Sequence, residues 1–351
     1  MFGLGGSRLD CFGCKQGIKG GTEYVTIRNK VFHPHCFRCA GCQGVIPHHT
    51  PFSSKPGEED QFYHTPCYQQ LFAPECCVCH EKMLPNHNGM IEYAVTPFWN
   101  QKFCRRHSTD GTSKCFACQR MESVRERHVV LSESPRAAGV ASASNRRALC
   151  LSCAESVVGS SDDVAVIYRE MVSFFGSLGA RLPLDMPVHL VETSALNATH
   201  SHRRSNGHNC LGMTMSEERT TVRHHTMFES EVIARRSNVT AVLVLYGLPR
   251  MLFSSVLAHE CTHAYIKLND FPKLTLQTEE GLCQLLAYLW LKAQPPGEGD
   301  KEKEKLYHMT KIFEDESVVY GDGFRMSFEA YTKYGLNRVL SHVKLSGALP
   351  L

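Results

Sequence analysis

Fourteen of the chain's 17 cysteines fall before residue 154, and thirteen of them stand in couples with two residues between the members. The couples are Cys11/Cys14, His33/Cys36, Cys39/Cys42, His64/Cys67, Cys76/Cys79, Cys104/His107, Cys115/Cys118 and Cys150/Cys153. A couple so spaced occupies one side of a tetrahedral zinc, and a second couple completes it. Thirteen thiols with His33, His64 and His107 make sixteen donors, which is enough for four ions. Metal held in this way folds a short chain that has too few apolar residues for a core of its own. A secreted disulfide scaffold fits worse, because the cysteine number is odd and histidines stand in cysteine places. Cys77, Cys210, Cys261 and Cys283 are left over. No signal-peptide pattern precedes Cys11 and no apolar run approaches a membrane span, so a reducing compartment, cytoplasmic or nuclear, is expected.

The first four couples resemble a LIM domain. In that pattern Cys11, Cys14, His33 and Cys36 bind one zinc, Cys39, Cys42, His64 and Cys67 bind the second, and Phe37-Arg38 is the short hinge between them. The next four couples are LIM-like: Cys76, Cys79, Cys104 and His107 for a third ion, and Cys115, Cys118, Cys150 and Cys153 for a fourth. They depart from the pattern in two places. Seven residues, Ser108 to Lys114, replace the two-residue hinge, and a loop over 131–145, rich in serine and alanine, stretches the last interval.

From about Ser160 the composition becomes an ordinary globular mixture. Within it lies Ser-Val-Leu-Ala-His-Glu-Cys-Thr-His from Ser255 to His263. Histidines four apart on a helix share a face, so His259 and His263 can reach one metal ion, with Glu260 about 100° round the axis from His259. Zinc lowers the pKa of a bound water, and a neighbouring carboxylate can accept its proton during attack on a peptide carbonyl. The apolar segment Thr240–Tyr246 reads as a strand stopped by Gly247 and Pro249. The metal-binding helix then starts near Arg250 and ends before Pro272. A third ligand is required, and Glu279 and Glu280 open the next helix, with Thr278 as its expected cap. An acidic first turn favoured by the helix dipole explains either glutamate equally well. Asp163 to Leu178 reads as an amphipathic helix, 188–191 as a strand, and Glu217 to Arg223 as a strand paired beside Val239–Tyr246. A charged helix is expected around Lys301–Phe313 and a final one near Met326–Val343.

This half resembles the gluzincin metallopeptidases, whose third ligand is a glutamate on the following helix, often directly before glycine. The resemblance therefore implies Glu280, ahead of Gly281, as the ligand, and Gln284 becomes a candidate hydrogen-bond partner of a ligand histidine. It also implies an edge strand that holds substrate by strand addition, with Ala241, Val242, Leu243, Val244 and Leu245 as the candidates; a buried core strand fits the same pattern. Tyr320 is the candidate for stabilising the oxyanion. Tyr307 and the loop histidines His200, His202 and His208 compete with it.

The whole order is similar to the plant LIM-containing, ubiquitin-activated DA-type zinc peptidases that restrict organ and seed growth. Asn86-His-Asn-Gly89, Pro97-Phe-Trp99, Tyr246-Gly-Leu-Pro-Arg250, Glu279-Glu-Gly281 and Val319-Tyr-Gly-Asp-Gly-Phe-Arg325 carry the likeness beside the metal motifs. It implies an endopeptidase that cuts regulatory proteins of the ubiquitin pathway and limits cell proliferation. Many members carry ubiquitin-interacting helices ahead of the LIM domain. Only ten residues precede Cys11 in this chain, so the zinc modules are the candidate surface for ubiquitin or ubiquitinated proteins.

The expected fold class is α+β: a LIM domain over 1–72, a LIM-like module over 73–158, and a gluzincin-like peptidase domain over 159–351. One catalytic and four structural zinc ions are expected. Protein substrates are the expected partners. A formal net charge of +3 and the lack of finger spacing argue against nucleic acid, and no segment argues for a membrane. The alternative is a LIM scaffold whose peptidase-like domain is inactive.

Overall fold

The computed structural model describes residues 9–131, 147–199, 210–224 and 230–350. It packs into two compact units. One comprises 1–112 with 123–125; the other comprises 113–122 with 126–351. The break falls inside the stretch 73–158, so the Cys115, Cys118, Cys150 and Cys153 cluster lies in the same unit as the His-Glu-x-x-His helix.

The first unit is built from small antiparallel hairpins. β1 (Val25–Ile27) pairs β2 (Lys30–Phe32), β3 (Phe52–Lys55) pairs β4 (Glu58–His64), and β5 (Ala94–Val95) pairs β6 (Lys102–Phe103). Helix α1 (Thr65–Phe72) follows β4 directly, with proline at its start. The apolar core is slight and aromatic: Phe62 packs edge to face on Phe32 and Phe37, and Phe32 lies tilted against Phe37, all around 5–6 Å apart. Metal clusters must therefore supply much of the cohesion.

All four cysteine-led turns across the chain have one shape. The residue after the second cysteine, Lys15, Gln43, His80 or Gln119, sits at φ near +60°. Its amide donates back to the carbonyl of the first cysteine at 2.8–2.9 Å. In three of them the Sγ of the first cysteine also accepts a backbone N–H, from His33, His64 and Cys104. The spacing is thus fixed locally by a single left-handed residue.

The second unit opens with the hairpin of β7 (Val129–Leu131) and β8 (Arg147–Leu149), then α2 (Leu151–Ala154) and α3 (Ser161–Ser177). Ser160 and Asp163 form a reciprocal capping box at the start of α3. β9 (Val188–Val191) precedes α4 (Thr193–Thr199), and β10 (Gly212–His224) and β11 (Ser230–Leu245) form a long antiparallel pair. Five helices complete the unit: α5 (Arg250–Leu268), α6 (Leu276–Ala293), α7 (Asp300–Phe313), α8 (Gly323–Tyr334) and α9 (Leu336–Ser346). Helices and strands together make the α+β class expected, and no helix among the described residues is long and apolar enough to cross a membrane.

Three local expectations are corrected. The cap of α6 is Thr275, whose side chain accepts from the Thr278 amide, so the helix begins one turn earlier than expected. The final helix is two, because Gly335 at φ +77° breaks the run between Tyr334 and Leu336. The third concerns strand order, β10-β11-β9, which makes β11 the inner strand. Thr214 and Val188 flank Val242, Met213 and His189 flank Leu243, and Gly212 and Leu190 flank Val244. Ala241 is paired with Met215, and Val242, Leu243 and Val244 are paired on both sides, so this stretch has no free edge to offer a substrate. It is core instead: Val242, Val244 and Leu245 are buried, and each such side chain contributes about 1.5–3 kcal/mol. The outer strand beside α5 is β10.

Candidate metal centre

Helix α5 lies against β10 and β11 on one side and α6 on the other. Its register sends His259 and His263 to a common face. Across from them, Glu280 Oε2 stands 3.1 Å from His259 Nε2 and 3.5 Å from His263 Nε2. Donor atoms about 2.1 Å from a tetrahedral zinc stand roughly 3.4 Å apart, so these three atoms match one ion. Apart from the two imidazoles, the buried Glu280 Oε2 has no hydrogen-bond partner, and a carboxylate oxygen so placed is costly. A divalent cation among the three groups removes that cost, and the residues fit zinc. Burial alone would raise the Glu280 carboxyl; His259 and His263 outweigh it and hold it well below the usual carboxylate range.

A second donor is near. The Cys283 thiol lies within 4.8 Å of the ligating atoms of His259 and His263. Burial pushes the metal-free thiol up to about 12, so it must release a proton before it can bind an ion. Nothing in the cysteine spacing marked it.

Glu279 takes the partnering role expected of Gln284. Its Oε1 is 2.8 Å from His263 Nδ1, which fixes the ring and turns Nε2 towards Glu280. Gln284 lines the cleft. Glu279→Gln is expected to weaken zinc binding at this centre about 10- to 100-fold, measured by competition with a chromogenic chelator, while the fold persists.

Glu260 is buried and faces β10. Thr214 Oγ1 is 2.8 Å from both its Oε2 and its backbone oxygen, and with one proton it can donate to one of them at a time. A Cβ at Gly212 would lie 2.8 Å from Glu260 Cγ and 2.7 Å from Val256 Cγ1, so only glycine lets the strand start close against the helix there. Sequence reasoning missed Thr214 and Gly212, because neither belongs to a spacing motif.

Tyr320 sits in a π-helical turn, Val318–Asp322, and its ring centroid is 6.5 Å from that of His259. Burial raises its hydroxyl. Burial raises the Tyr307 hydroxyl, and the Cys118 and Cys115 sulfurs raise it further, which puts it on the cysteine cluster side. His200, His202 and His208 lie outside the described residues, as does most of the 131–145 loop. The backbones of α6 and α8 meet beside Glu280: a Cβ on Gly281 would lie 2.2 Å from Gly323 O.

These groups open onto a cleft of roughly 1140 Å³. Its walls include Gly212 and Thr214 from β10, His308 and Lys311 from α7, and Tyr320. His308 is buried, and desolvation pushes its imidazole down to about 4, against the opposing effect of Cys115. Its Nε2 stands 3.9 Å from Glu304 Oε1, and burial raises that carboxyl to about 7. For His308 the unfolded chain binds the extra proton. Its stability contribution is complete above pH 6.5 and is lost as pH falls towards 4. Comparing the parent with His308→Gln cancels most other titrations. The difference is expected to move by about 2 kcal/mol in the variant's favour between pH 7 and pH 5, read from urea midpoints.

The four cysteine clusters are assembled as the couples implied. Cys14 and Cys36 Sγ lie 3.4 and 3.8 Å from His33 Nδ1, and Cys42 and Cys67 Sγ lie 3.4 and 3.9 Å from His64 Nδ1. Cys79 and Cys104 sulfurs are 3.9 Å apart, and Cys118 and Cys150 sulfurs 3.7 Å. Tetrahedral zinc sets such separations at about 3.6–3.8 Å. The four donor sets fit structural zinc binding. None of the 17 cysteines is in a disulfide.

Comparison with known proteins points the same way. The LIM domain family matches residues 11–72, and the family described as "DA1-like: Protein DA1" matches 178–305 and 292–346. Protein DA1-related 1 of Arabidopsis thaliana is 34% identical over 97% of this chain and 66% of its own length. Protein DA1 of the same plant is 34% identical over 97% of this chain and 68% of its own. The LIM domain-containing protein HDR3 of Oryza sativa is 31% identical over 97% and 74%. The chain thus spans about two thirds of the length of the Arabidopsis relatives it matches.

Proposed function

The chain belongs to the DA1-like family, and from that premise and the geometry of α5 and α6 we propose that it is a zinc-dependent endopeptidase. His259, His263 and Glu280 are the residues that hold the ion. One observation carries the reading: the orphaned Glu280 oxygen aimed between two imidazole nitrogens, with Glu260 one residue along the same helix as the histidines. A zinc ion bound there supplies Lewis acidity, which makes water more acidic and a peptide carbonyl more electrophilic.

The chain's own groups do the rest. Glu260 accepts the proton of the attacking water at a carboxylate oxygen and passes it to the departing amine. The Thr214 hydroxyl and the Gly212 backbone hold that carboxylate in one pose. Glu279 keeps His263 in the tautomer whose Nε2 is a free donor to metal. Tyr320, on the cleft wall, donates to the developing oxyanion. Substrate lies extended along the outer edge of β10 near Gly212–Ser216, not along the inner strand β11.

Its substrates are proteins of the ubiquitin pathway that set cell proliferation and organ growth, met in a reducing compartment, cytoplasm or nucleus. Ubiquitin or ubiquitinated proteins bind through the first three zinc clusters, from Cys11 to His107. The rival reading is a zinc-stapled scaffold with a silent peptidase domain. Incubation with a plant cell extract, with and without chelator, followed by identification of new protein termini, separates the two. New termini with the parent and none with Glu260→Gln support the peptidase. Identical termini from both proteins contradict it. Metal analysis adds a second criterion, about five zinc ions per chain against about four for a scaffold.

A further inference from the structure

The fourth cysteine cluster is distinguished by where its flanking residues go. Its four sulfurs belong to buried residues, 0–7% exposed, whereas Cys14 and Cys42 are exposed. Three residues before Cys150, Arg147 Nη1 donates to Tyr246 O at 2.6 Å, and the same guanidinium lies over the Phe116 ring. Just after Cys153, Val158 N donates to Leu248 O at 3.0 Å and Ser156 O accepts from Arg250 N at 2.7 Å. The contacts grip 246–250, the segment from which α5 springs. Pro249 precedes α5 and no side chain caps it, so the Arg250–Ser156 bond satisfies one of its open amides. A second grip falls on α7. Arg120, two residues past Cys118, pairs with Asp300 at 3.1 Å. The other end of α7 supplies His308 and Lys311 to the cleft.

We propose that the metal knuckle of Cys115, Cys118, Cys150 and Cys153 is a clasp of the catalytic unit, which positions α5 and α7 around the cleft, and is not a docking module. The lever is long. His259 lies about 13 Å along α5 from Arg250, so a tilt of about 10° at the start displaces its imidazole by about 2 Å. Misplacements of about 1 Å can cost 10²-fold in rate. Arg147 is a positioning residue in this scheme, since it touches neither substrate nor metal ligand at the centre.

Only the activity arm of the test rests on the peptidase reading. Arg147→Gln removes the charge-assisted bond to Tyr246 O and leaves all sixteen cluster donors in place. Amide exchange in 246–253 is expected to quicken about tenfold or more while α3 is unchanged and bound zinc is constant. On a peptide substrate, kcat is expected to fall about tenfold with KM changed by less than about twofold, and Arg147→Lys should recover most of both effects. Cys118→Ser is expected to lose one zinc and show the same exchange signature. If that variant fails to fold, Arg147→Gln decides alone. Exchange in 246–253 within about twofold of the parent in Arg147→Gln, or slow exchange there after the zinc is lost, overturns the clasp. Faster exchange with no cleavage by any form, parent included, sinks the peptidase reading and leaves the clasp standing.

Discussion

Glu260→Gln is expected to keep the fold and every metal ion yet lose proteolysis by about 10²- to 10⁴-fold in kcat. The substitution is nearly isosteric, and the niche made by Gly212, Val256 and Thr214 accepts an amide as readily as a carboxylate. The amide oxygen still accepts the Thr214 hydroxyl, so the side chain stays in place. What disappears is basicity. An amide cannot take the proton of the attacking water, and neither neighbouring carboxylate can substitute, since Glu280 is turned to the imidazoles and Glu279 is held by His263. Single-turnover cleavage of a substrate peptide, with metal content measured on the same sample, provides the check. A variant that cuts at the parental rate with full zinc removes Glu260 from the mechanism.

Gly281→Ala is expected to be among the most damaging single methyl additions in this unit. The new Cβ meets Gly323 O at 2.2 Å and Gly323 C at 2.4 Å, and these are backbone atoms that cannot rotate away. α8 must move off α6, and with it the π-helical turn that carries Tyr320. Overpacking of this kind costs about 3 kcal/mol, which for a unit of this size lowers Tm by roughly 6–12 °C. The clash lies one residue from Glu280, so metal affinity at the centre should fall as well. Calorimetry on the zinc-loaded chain measures the first effect. A Tm within about 2 °C of the parent would mean that the helices do not cross as closely as Gly281 and Gly323 indicate.

What was legible in the sequence was what is fixed locally. A Cys-x-x-Cys turn depends on one left-handed residue and two sulfurs, so all four clusters could be read from spacing. α5 announced itself through Pro249 before it and an apolar face within it. Glu279 and Glu280 show the limit. They differ by about 100° on one helix, and only the packing of α6 on α5 decides which meets the imidazoles and which backs one of them. Family resemblance selected Glu280; no periodicity did. Strand order was illegible for a related reason. β11 is apolar because both its faces and both its edges are occupied near Val242–Leu245, and that pattern looks the same whether the strand is central or at a cleft. The long continuation of β10 and β11 pairs Glu217 with Asn238 and Glu218 with Ser237, polar residues that send no hydrophobic signal. Thr214 and Gly212 became visible only once that pairing laid β10 along α5.

Catalysis in this scheme depends on three donor atoms sharing one ion. Anomalous scattering from crystals of the zinc-loaded chain, recorded on either side of the zinc absorption edge, tests that without any substrate. A peak is expected about 2.0–2.2 Å from His259 Nε2, His263 Nε2 and Glu280 Oε2, beside those of the four cysteine clusters. Peaks at the cysteine clusters with none between α5 and α6 would contradict it.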